Sequence, residues 1–238
     1  MAIYAMADLH LSLTGNKPMD IFGARWQNYQ QKIETAWKQT VTAADTVVIP
    51  GDISWGISLE ESTQDLLFLD RLPGKKLIGR GNHDYWWATA SKMDAFFAKN
   101  GITTIAYLHN CAHLVEGHIL CGSRGWYFEG KQAPREADHQ KIVNRECLRL
   151  QMSLRAGEAL AAQAGILAPP TVFLHFPPVF GDYLCRPLVE VLKAHGVTDC
   201  YYGHIHGNYE IPPVFSFENI RFHIIAADYL QFCPKKVF

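Results

Sequence analysis

Acids and histidines recur in five short segments of this sequence, and each segment follows an apolar run. They read Ala-Asp-Leu-His at residues 7–10, Pro-Gly-Asp at 50–52, Gly-Asn-His-Asp at 81–84, Leu-His at 174–175 and Gly-His-Ile-His at 203–206. Neutral imidazole, carboxylate and the Asn carbonyl are ligands for divalent metals of intermediate softness. The pattern therefore predicts a metal site.

The number of candidate ligands indicates more than one metal ion. The ligands are Asp8, His10, Asp52, Asn82, His175, His204 and His206. One tetrahedral zinc needs only about four ligands. Two cations about 3.5–4 Å apart can hold the attacking and leaving oxygens of an in-line displacement. The residue types therefore favour phosphoester hydrolysis over acyl transfer.

The apolar runs before these segments have the length and composition of buried strands. Strands are predicted at Ala2–Ala7, Thr46–Pro50, Lys76–Ile78, Thr171–Leu174, Cys200–Tyr202 and Phe222–Ala226. Strand ends in a layered α/β fold share one edge, so the candidate ligands should meet there. Between the strands, apolar spacing predicts helices at Trp26–Val41, from a Ser58–Glu61 capping box, from Asp84 to Gly101, at Asp138–Ala164 and at Leu188–His195.

Other stretches depart from the β-α alternation. Residues 114–120 read as a hairpin with a Glu-Gly turn, and residues 209–232 read as successive strands. Residues 124–138 are predicted to be a mobile surface loop, and Lys235 with Lys236 a solvated tail. The sequence predicts a single domain over residues 1–238, with a mixed sheet or a pair of sheets flanked by helices.

Composition narrows the function classes. The 238 residues are 48% hydrophobic and 19% charged, and 22 basic residues against 23 acidic ones give a formal net charge of -1. That balance disfavours a protein that binds nucleic acid through a basic surface. The sequence contains no run of about 18 apolar residues, so no membrane-spanning helix is predicted. The N-terminus lacks a basic leader and the six cysteines are scattered, so we expect a cytoplasmic protein with reduced thiols.

The order of the five segments resembles that of the calcineurin-like metallophosphoesterase superfamily. The family pattern runs D-x-H, G-D, G-N-H-[DE], H and G-H-x-H, and it stands here as ADLH, PGDISWG, RGNHDYWW, FLHFPP and YGHIHG. The longer strings KPMDIFGARW, GDISWG, GNHDYWW and GSRGW resemble a group of bacterial predicted phosphohydrolases within it.

This resemblance implies a four-layer αββα sandwich, in which two mixed sheets are flanked by helices and two divalent metal ions lie at one edge. It places Asp8, His10 and His206 on the first metal, Asn82, His175 and His204 on the second, and Asp52 between both. It implies in-line attack by a metal-bridging hydroxide on a phosphomonoester or phosphodiester. His83 would be the general acid, and Asp84 would orient it. The ligand types suit Mn2+, Fe2+ or Fe3+, Zn2+, Co2+ or Ni2+.

Departures from some branches of the superfamily narrow the expectation. Trp55 stands where purple acid phosphatases carry a tyrosinate ligand, and the protein phosphatase motif Asp-Arg-Gly is missing after Asp52. We expect a small phosphorylated substrate, with Arg124 contacting phosphate and Trp126 lining the substrate site. A nuclease or nucleic-acid phosphatase, and a non-catalytic metal-binding scaffold, remain alternatives. The sequence does not predict the oligomeric state.

Overall fold

Residues 1–14, 17, 19–127 and 136–238 are described by a computed structural model, apart from the side chain of residue 136. The strands are β1 (Ile3–Ala5), β2 (Thr46–Pro50), β3 (Lys75–Gly79), β4 (Ile105–Tyr107), β5 (Cys111–Val115), β6 (His118–Ser123), β7 (Thr171–Leu174), β8 (Val179–Phe180), β9 (Tyr183–Leu184), β10 (Asp199–Tyr202), β11 (Val214–Phe217), β12 (Ile220–Ile224) and β13 (Lys235–Lys236). The helices are α1 (Tyr29–Thr40), α2 (Thr63–Arg71), α3 (Ala90–Asn100), α4 (Glu136–Ala164) and α5 (Arg186–Ala194).

Two mixed sheets form the centre of the fold. The first has the order β13-β1-β2-β3-β4 and the second β11-β12-β10-β7-β6-β5. Strands β1 to β4 are parallel, and β13 runs antiparallel at their edge. Strands β12, β10, β7 and β6 are also parallel, with β11 and β5 antiparallel at the two edges. The carboxyl ends of the parallel strands carry the five candidate segments.

Three apolar clusters show that the layers are helix, sheet, sheet and helix. Val48 and Phe173 belong to a cluster that joins the inner faces of the two sheets. Ile33 and Leu66 pack helices α1 and α2 onto the outer face of the first sheet. Leu150 is in the cluster that packs α4 and α5 onto the second sheet. Both mixed sheets are thus covered on both faces, which is why their parallel strands are nearly continuous apolar runs. The αββα sandwich is confirmed.

Local sequence explains the helix boundaries. Tyr29, Ile33 and Trp37 recur every four residues and form the buried face of α1. The Ser58 hydroxyl accepts the Glu61 N–H at 3.3 Å, so the capping-box bond is present, although regular α2 begins later, at Thr63.

The structure confirms the six predicted strands to within a few residues and the hairpin, whose turn residues Glu116 and Gly117 both have positive φ. It corrects the C-terminal tail. Lys235 and Lys236 pair antiparallel with β1, because the edge of the first sheet offers free backbone groups. Residues 128–135 of the predicted mobile loop lie outside the described residues, and α4 begins at Glu136. No helix in the described ranges is both long enough and apolar enough to cross a bilayer.

Candidate metal centre

The seven predicted metal ligands meet at one edge of the paired sheets, each in the loop that follows a strand. Their strands are β1 for Asp8 and His10, β2 for Asp52, β3 for Asn82, β7 for His175 and β10 for His204 and His206. The backbone ties these loops together across the two sheets. The Asp8 N–H donates to the Gly51 carbonyl at 3.0 Å, and the Ala7 N–H donates to the Ile225 carbonyl at 2.8 Å.

One set of ligand atoms comes from Asp8, His10 and His206, and we call it the Asp8 group. One atom from each residue lies within 4.8 Å of the others. The Nε2 atoms of His10 and His206 are 3.1 Å apart, and Asp8 Oδ1 is 3.9 Å from His206 Nε2. The group is nearly inaccessible to solvent on the side of Asp8 and His10, which are 0% and 2% exposed.

A second set, the Asp52 group, comes from Asp52, His175 and His204, whose ligand atoms also lie within 4.8 Å of one another. Asn82 adds a neutral oxygen, because its Oδ1 is 2.7 Å from His175 Nε2. Asp52 Oδ2 lies between the groups, 3.5 Å from His175 Nε2 and 3.7 Å from His10 Nε2. The bridging role of Asp52 stays a prediction, and it requires a carboxylate oxygen close to both groups, as this one is.

Backbone strain marks the same residues. Asp8, His10, Asp52 and His204 have positive φ values of 61°, 45°, 53° and 68°. This left-handed region is unfavourable for residues with a Cβ, at about 1–2 kcal/mol each. Such strain persists only where the surrounding structure imposes it, and it concentrates at functional sites.

Two glycines make the close approach of the loops possible. A Cβ on Gly81 would lie 2.0 Å from Asp52 Oδ1, and a Cβ on Gly203 would lie 2.5 Å from Asp8 Oδ2. Only glycine can therefore place the backbone against these carboxylates. The His204 N–H then donates to Asp8 Oδ2, and the His83 N–H donates to Asp52 Oδ1, both at 2.8 Å. Each carboxylate is oriented by one of these bonds.

Asp84 has a different position from the one expected. Its carboxylate accepts the backbone N–H groups of Gly81, Asp52 and Ile53 at 2.8 Å and the Trp86 indole N–H at 3.0 Å. The His83 ring has no such contact, since its Nδ1 is buried without a hydrogen-bond partner. The expectation that Asp84 orients His83 is corrected: Asp84 clamps the loop of Asp52 to the loop of Asn82.

Asp228 was missed by the sequence reasoning, although it follows β12 as the other ligands follow their strands. It is 0% exposed and accepts the His206 Nδ1–H at 2.8 Å, which leaves His206 Nε2 facing the Asp8 group. The Gly207 N–H and the Tyr209 hydroxyl donate to its other oxygen at 3.1 and 3.0 Å. A carboxylate behind an imidazole is a common support for a metal-bound histidine. The sequence signal that could have identified Asp228 is its position just after the sixth predicted strand, Phe222–Ala226.

Burial keeps three of the four ligand imidazoles neutral and disfavours the charged form of the carboxylates. Burial lowers the pKa of His10 and His175 well below the usual value. Burial raises the pKa of Asp8 to about 7, and burial followed by the charges of Asp84 and Asp8 raises the pKa of Asp52 well above its usual value. The pKa of His206 is raised although burial opposes this, because Asp228 accepts its hydrogen bond and Asp8 adds negative charge. Neutral imidazoles beside buried carboxylates whose negative charge is incompletely balanced are suited to receive cations.

Orphaned polar atoms support the same interpretation. Asp8 Oδ1 and His175 Nδ1 are buried without a hydrogen-bond partner, and they lie 3.6 Å apart. Leaving such groups unsatisfied costs about 1–3 kcal/mol each. The donor set of imidazoles, carboxylates and one amide fits a pair of divalent cations, one for each group.

His83 lies beside the two groups. Its ring centroid is 5.5 Å from that of His10 and 4.4 Å from that of Trp55. Burial, followed by the charges of His206, Lys17 and Arg124, lowers the pKa of His83 to about 4. The ring is therefore neutral at pH 7 in the substrate-free protein.

Arg124 and Trp126 flank the Asp52 group. The Arg124 guanidinium lies 5.1 Å from the centroid of Phe176, whose ring packs edge-on to His204 at 4.6 Å. Trp126 packs against Phe176 at 5.9 Å, and its indole Nε1 is buried without a partner. Tyr127, the next residue, contacts the His204 ring at 5.4 Å. Arg124 and Trp126 thus both contact Phe176, which in turn contacts the candidate ligand His204.

Comparison with known proteins now decides the family. The sequence model of the calcineurin-like phosphoesterases matches residues 1–208. The chain belongs to the calcineurin-like phosphoesterase family. Family membership and the two ligand groups together indicate a metal-dependent phosphoesterase. No curated protein matches the chain.

Solved structures share this phosphoesterase fold. A protein of unknown function from Aquifex aeolicus is 14% identical, with a TM-score of 0.53 over 99% of this chain and 95% of that one. A second solved structure is 11% identical, with a TM-score of 0.54 over 93% of this chain and 88% of the other. At these identities the likeness concerns the fold alone.

Proposed function

We propose that the protein hydrolyses a small phosphomonoester or phosphodiester with two divalent cations, one held by the Asp8 group and one by the Asp52 group with Asn82. The observation that carries the proposal is the meeting of seven ligand side chains from five strand ends, with Asp52 Oδ2 between the groups. When bound, the cations would supply Lewis-acid charge for the phosphoryl oxygens and activate a water near neutral pH. Mn2+, Fe2+ or Fe3+, Zn2+, Co2+ and Ni2+ all suit these ligands.

His83 is the proposed proton donor to the leaving oxygen. Its backbone is fixed by the bond to Asp52 Oδ1, and Trp55 packs against its ring. Because the ring is neutral in the free protein, it must take up its proton together with the anionic substrate, whose charge raises the pKa of the imidazole. The Arg124 guanidinium is the proposed contact for a phosphate of the substrate, and Trp126 is proposed to line the same side of the site.

The test is hydrolysis of bis-p-nitrophenyl phosphate and p-nitrophenyl phosphate with added Mn2+. Asp52→Asn should lose metal and activity, because both groups share this carboxylate. His83→Ala should retain two metals and lose roughly 10²–10⁴-fold in kcat, the range for general acid catalysis. His195→Ala is the matched control, because that ring lies at the end of α5 and bonds Glu158.

Absence of metal-dependent hydrolysis by the wild type, or equal activity in all variants, refutes the proposed enzyme. Two bound metals with no activity on any phosphoester would favour the scaffold alternative. Hydrolysis confined to nucleic acid, with affinity that falls steeply with salt, would favour the nuclease alternative.

A further inference from the structure

We propose that Arg80 and Arg124 form a second anion-binding subsite beside the metal centre, so that the substrate carries another anionic group, a phosphate or a carboxylate, besides the phosphoryl group that is cleaved. This inference rests on the proposed function and names the class of its substrate. Arg80 immediately precedes Gly81 and Asn82 on the loop after β3.

Backbone packing brings the two arginines to the same place from different sheets. The Leu108 carbonyl lies 3.5 Å from where a Cβ on Gly79 would be and 2.6 Å from where a Cβ on Gly122 would be. Gly79 ends β3 and is followed by Arg80, and Gly122 lies on β6 two residues before Arg124. The segments that follow β3 and β6 therefore leave the two sheets next to each other, close to Leu108.

Neither guanidinium has a hydrogen-bond or ion-pair partner within the described part of the chain, although that of Arg124 lies over the Phe176 ring. The Nε–H groups of Arg80 and Arg124 are buried and form no hydrogen bond, and no carboxylate forms an ion pair with either side chain. A buried donor left unpaired is costly, so these groups require an external acceptor. The neighbouring Trp126 indole N–H is also unpaired.

The local charge favours an anion. Burial and then the charge of Arg80 lower the pKa of Arg124, which shows that the two cations repel each other. Burial, followed by the charges of Arg149, Arg80 and Arg124, lowers the pKa of His109 to about 4, so that ring is neutral. Two carboxylates act on the charge of Arg124: Glu146, which is engaged by Arg149 at 2.6 Å, and Asp52, which belongs to the proposed metal centre. Planar guanidinium groups match the oxygens of phosphate and carboxylate.

The position of Arg124 places this subsite next to the reacting centre. Arg124 lies over Phe176, whose ring contacts both His175 and His204, so the anion would lie beside the Asp52 group. A substrate with two anionic groups joined by a short linker could contact both places.

The experiment compares three substrates in the Mn2+-loaded protein by release of inorganic phosphate: propyl phosphate, propane-1,3-diyl bisphosphate and 3-phosphonooxypropanoate. The wild type should prefer one of the two compounds that carry a second anionic group over propyl phosphate, by about tenfold or more in kcat/KM. A charge-assisted hydrogen bond is expected to contribute this much. The preferred compound tells whether the second group is phosphate or carboxylate. Arg80→Gln should reduce this preference at least severalfold.

Arg71→Gln is the matched control, because Arg71 is an exposed arginine at the end of α2, just before the opposite end of β3. It should retain the wild-type preference. Equal use of all three compounds by the wild type, or an unchanged preference in Arg80→Gln, overturns the subsite while the proposed hydrolase stands. If no compound is hydrolysed, calorimetric titration of the same ligands decides the subsite separately, with equal affinities overturning it.

Discussion

Replacing Asp228 by Asn should weaken the binding of one of the two proposed metal ions. Oδ1 of Asp228 accepts the His206 Nδ1–H at 2.8 Å, and Oδ2 accepts two further donors, the Gly207 N–H and the Tyr209 hydroxyl. This bond to Nδ1 keeps the proton away from Nε2, which lies 3.1 Å from His10 Nε2. An unprotonated Nε2 is what a metal requires.

An asparagine cannot satisfy both sides. If its amide nitrogen faces His206, the ring must accept at Nδ1 and carry its proton on Nε2, where a metal would bind. If its carbonyl faces His206, the amide nitrogen faces the Gly207 N–H, donor against donor. Loss of such a support costs roughly 10–100-fold in metal affinity, which corresponds to about 1.4–2.7 kcal/mol.

Mn2+ titration by calorimetry, with metal content measured after dialysis, tests this expectation. Asp228→Asn should show one site of wild-type affinity and one weakened site, because Asp52 and His175 do not contact Asp228. The control is Asp199→Asn, since Asp199 also accepts a histidine, His223, at 2.8 Å, but at the start of β10. Two sites of unchanged affinity in Asp228→Asn would refute the tautomer argument.

Three further outcomes are expected. Gly81→Ala should lose metal binding and destabilise the fold by several kcal/mol in urea unfolding, because the Cβ would lie 2.0 Å from Asp52 Oδ1. The control is Gly165→Ala, whose Cβ would meet no atom within 4 Å and which should cost only about 1 kcal/mol. Asp84→Asn should lower the free energy of unfolding by about 2–5 kcal/mol, because its amide nitrogen would face the two N–H donors now bonded to one carboxylate oxygen; an unchanged free energy of unfolding in urea would contradict the clamp role. Mn2+ affinity should rise from pH 6 to pH 8, because burial raises the pKa of Asp8 to about 7 and the proton competes with the metal below that value. Calorimetric titration at three pH values checks this expectation, and an affinity that does not change with pH would contradict the burial argument.

The sequence predicted the strands and the candidate ligands because both follow from local chemistry. A short apolar run rich in β-branched residues is typical of a strand in a sheet that is covered on both faces. The strands Thr46–Pro50 and Thr171–Leu174 lie where the sequence predicted them. Parallel strands end at a common edge, so an acid or histidine after each run belongs to one site. The meeting of Asp52 with His175 needed no further information.

Neighbours in sequence were the weaker guide. His83 and Asp84 are adjacent, yet Asp84 is bonded to backbone groups of two loops, and the ring of His83 packs on Trp55. Consecutive side chains leave the backbone in different directions, so adjacency does not establish contact. The edge strand of Lys235 and Lys236 was also hidden, because its partner β1 is more than two hundred residues away.

The tertiary structure alone decided which charged groups have partners. Asp228 supports His206 because β12 pairs with β10, and Arg80 approaches Arg124 because both sheets meet at Leu108. The types of the ligands are fixed by the chain itself, since metal preference is a property of the donor atom. Their orientation, tautomer and charge balance depend on burial and on hydrogen bonds between distant segments, which exist only once the sheets have packed.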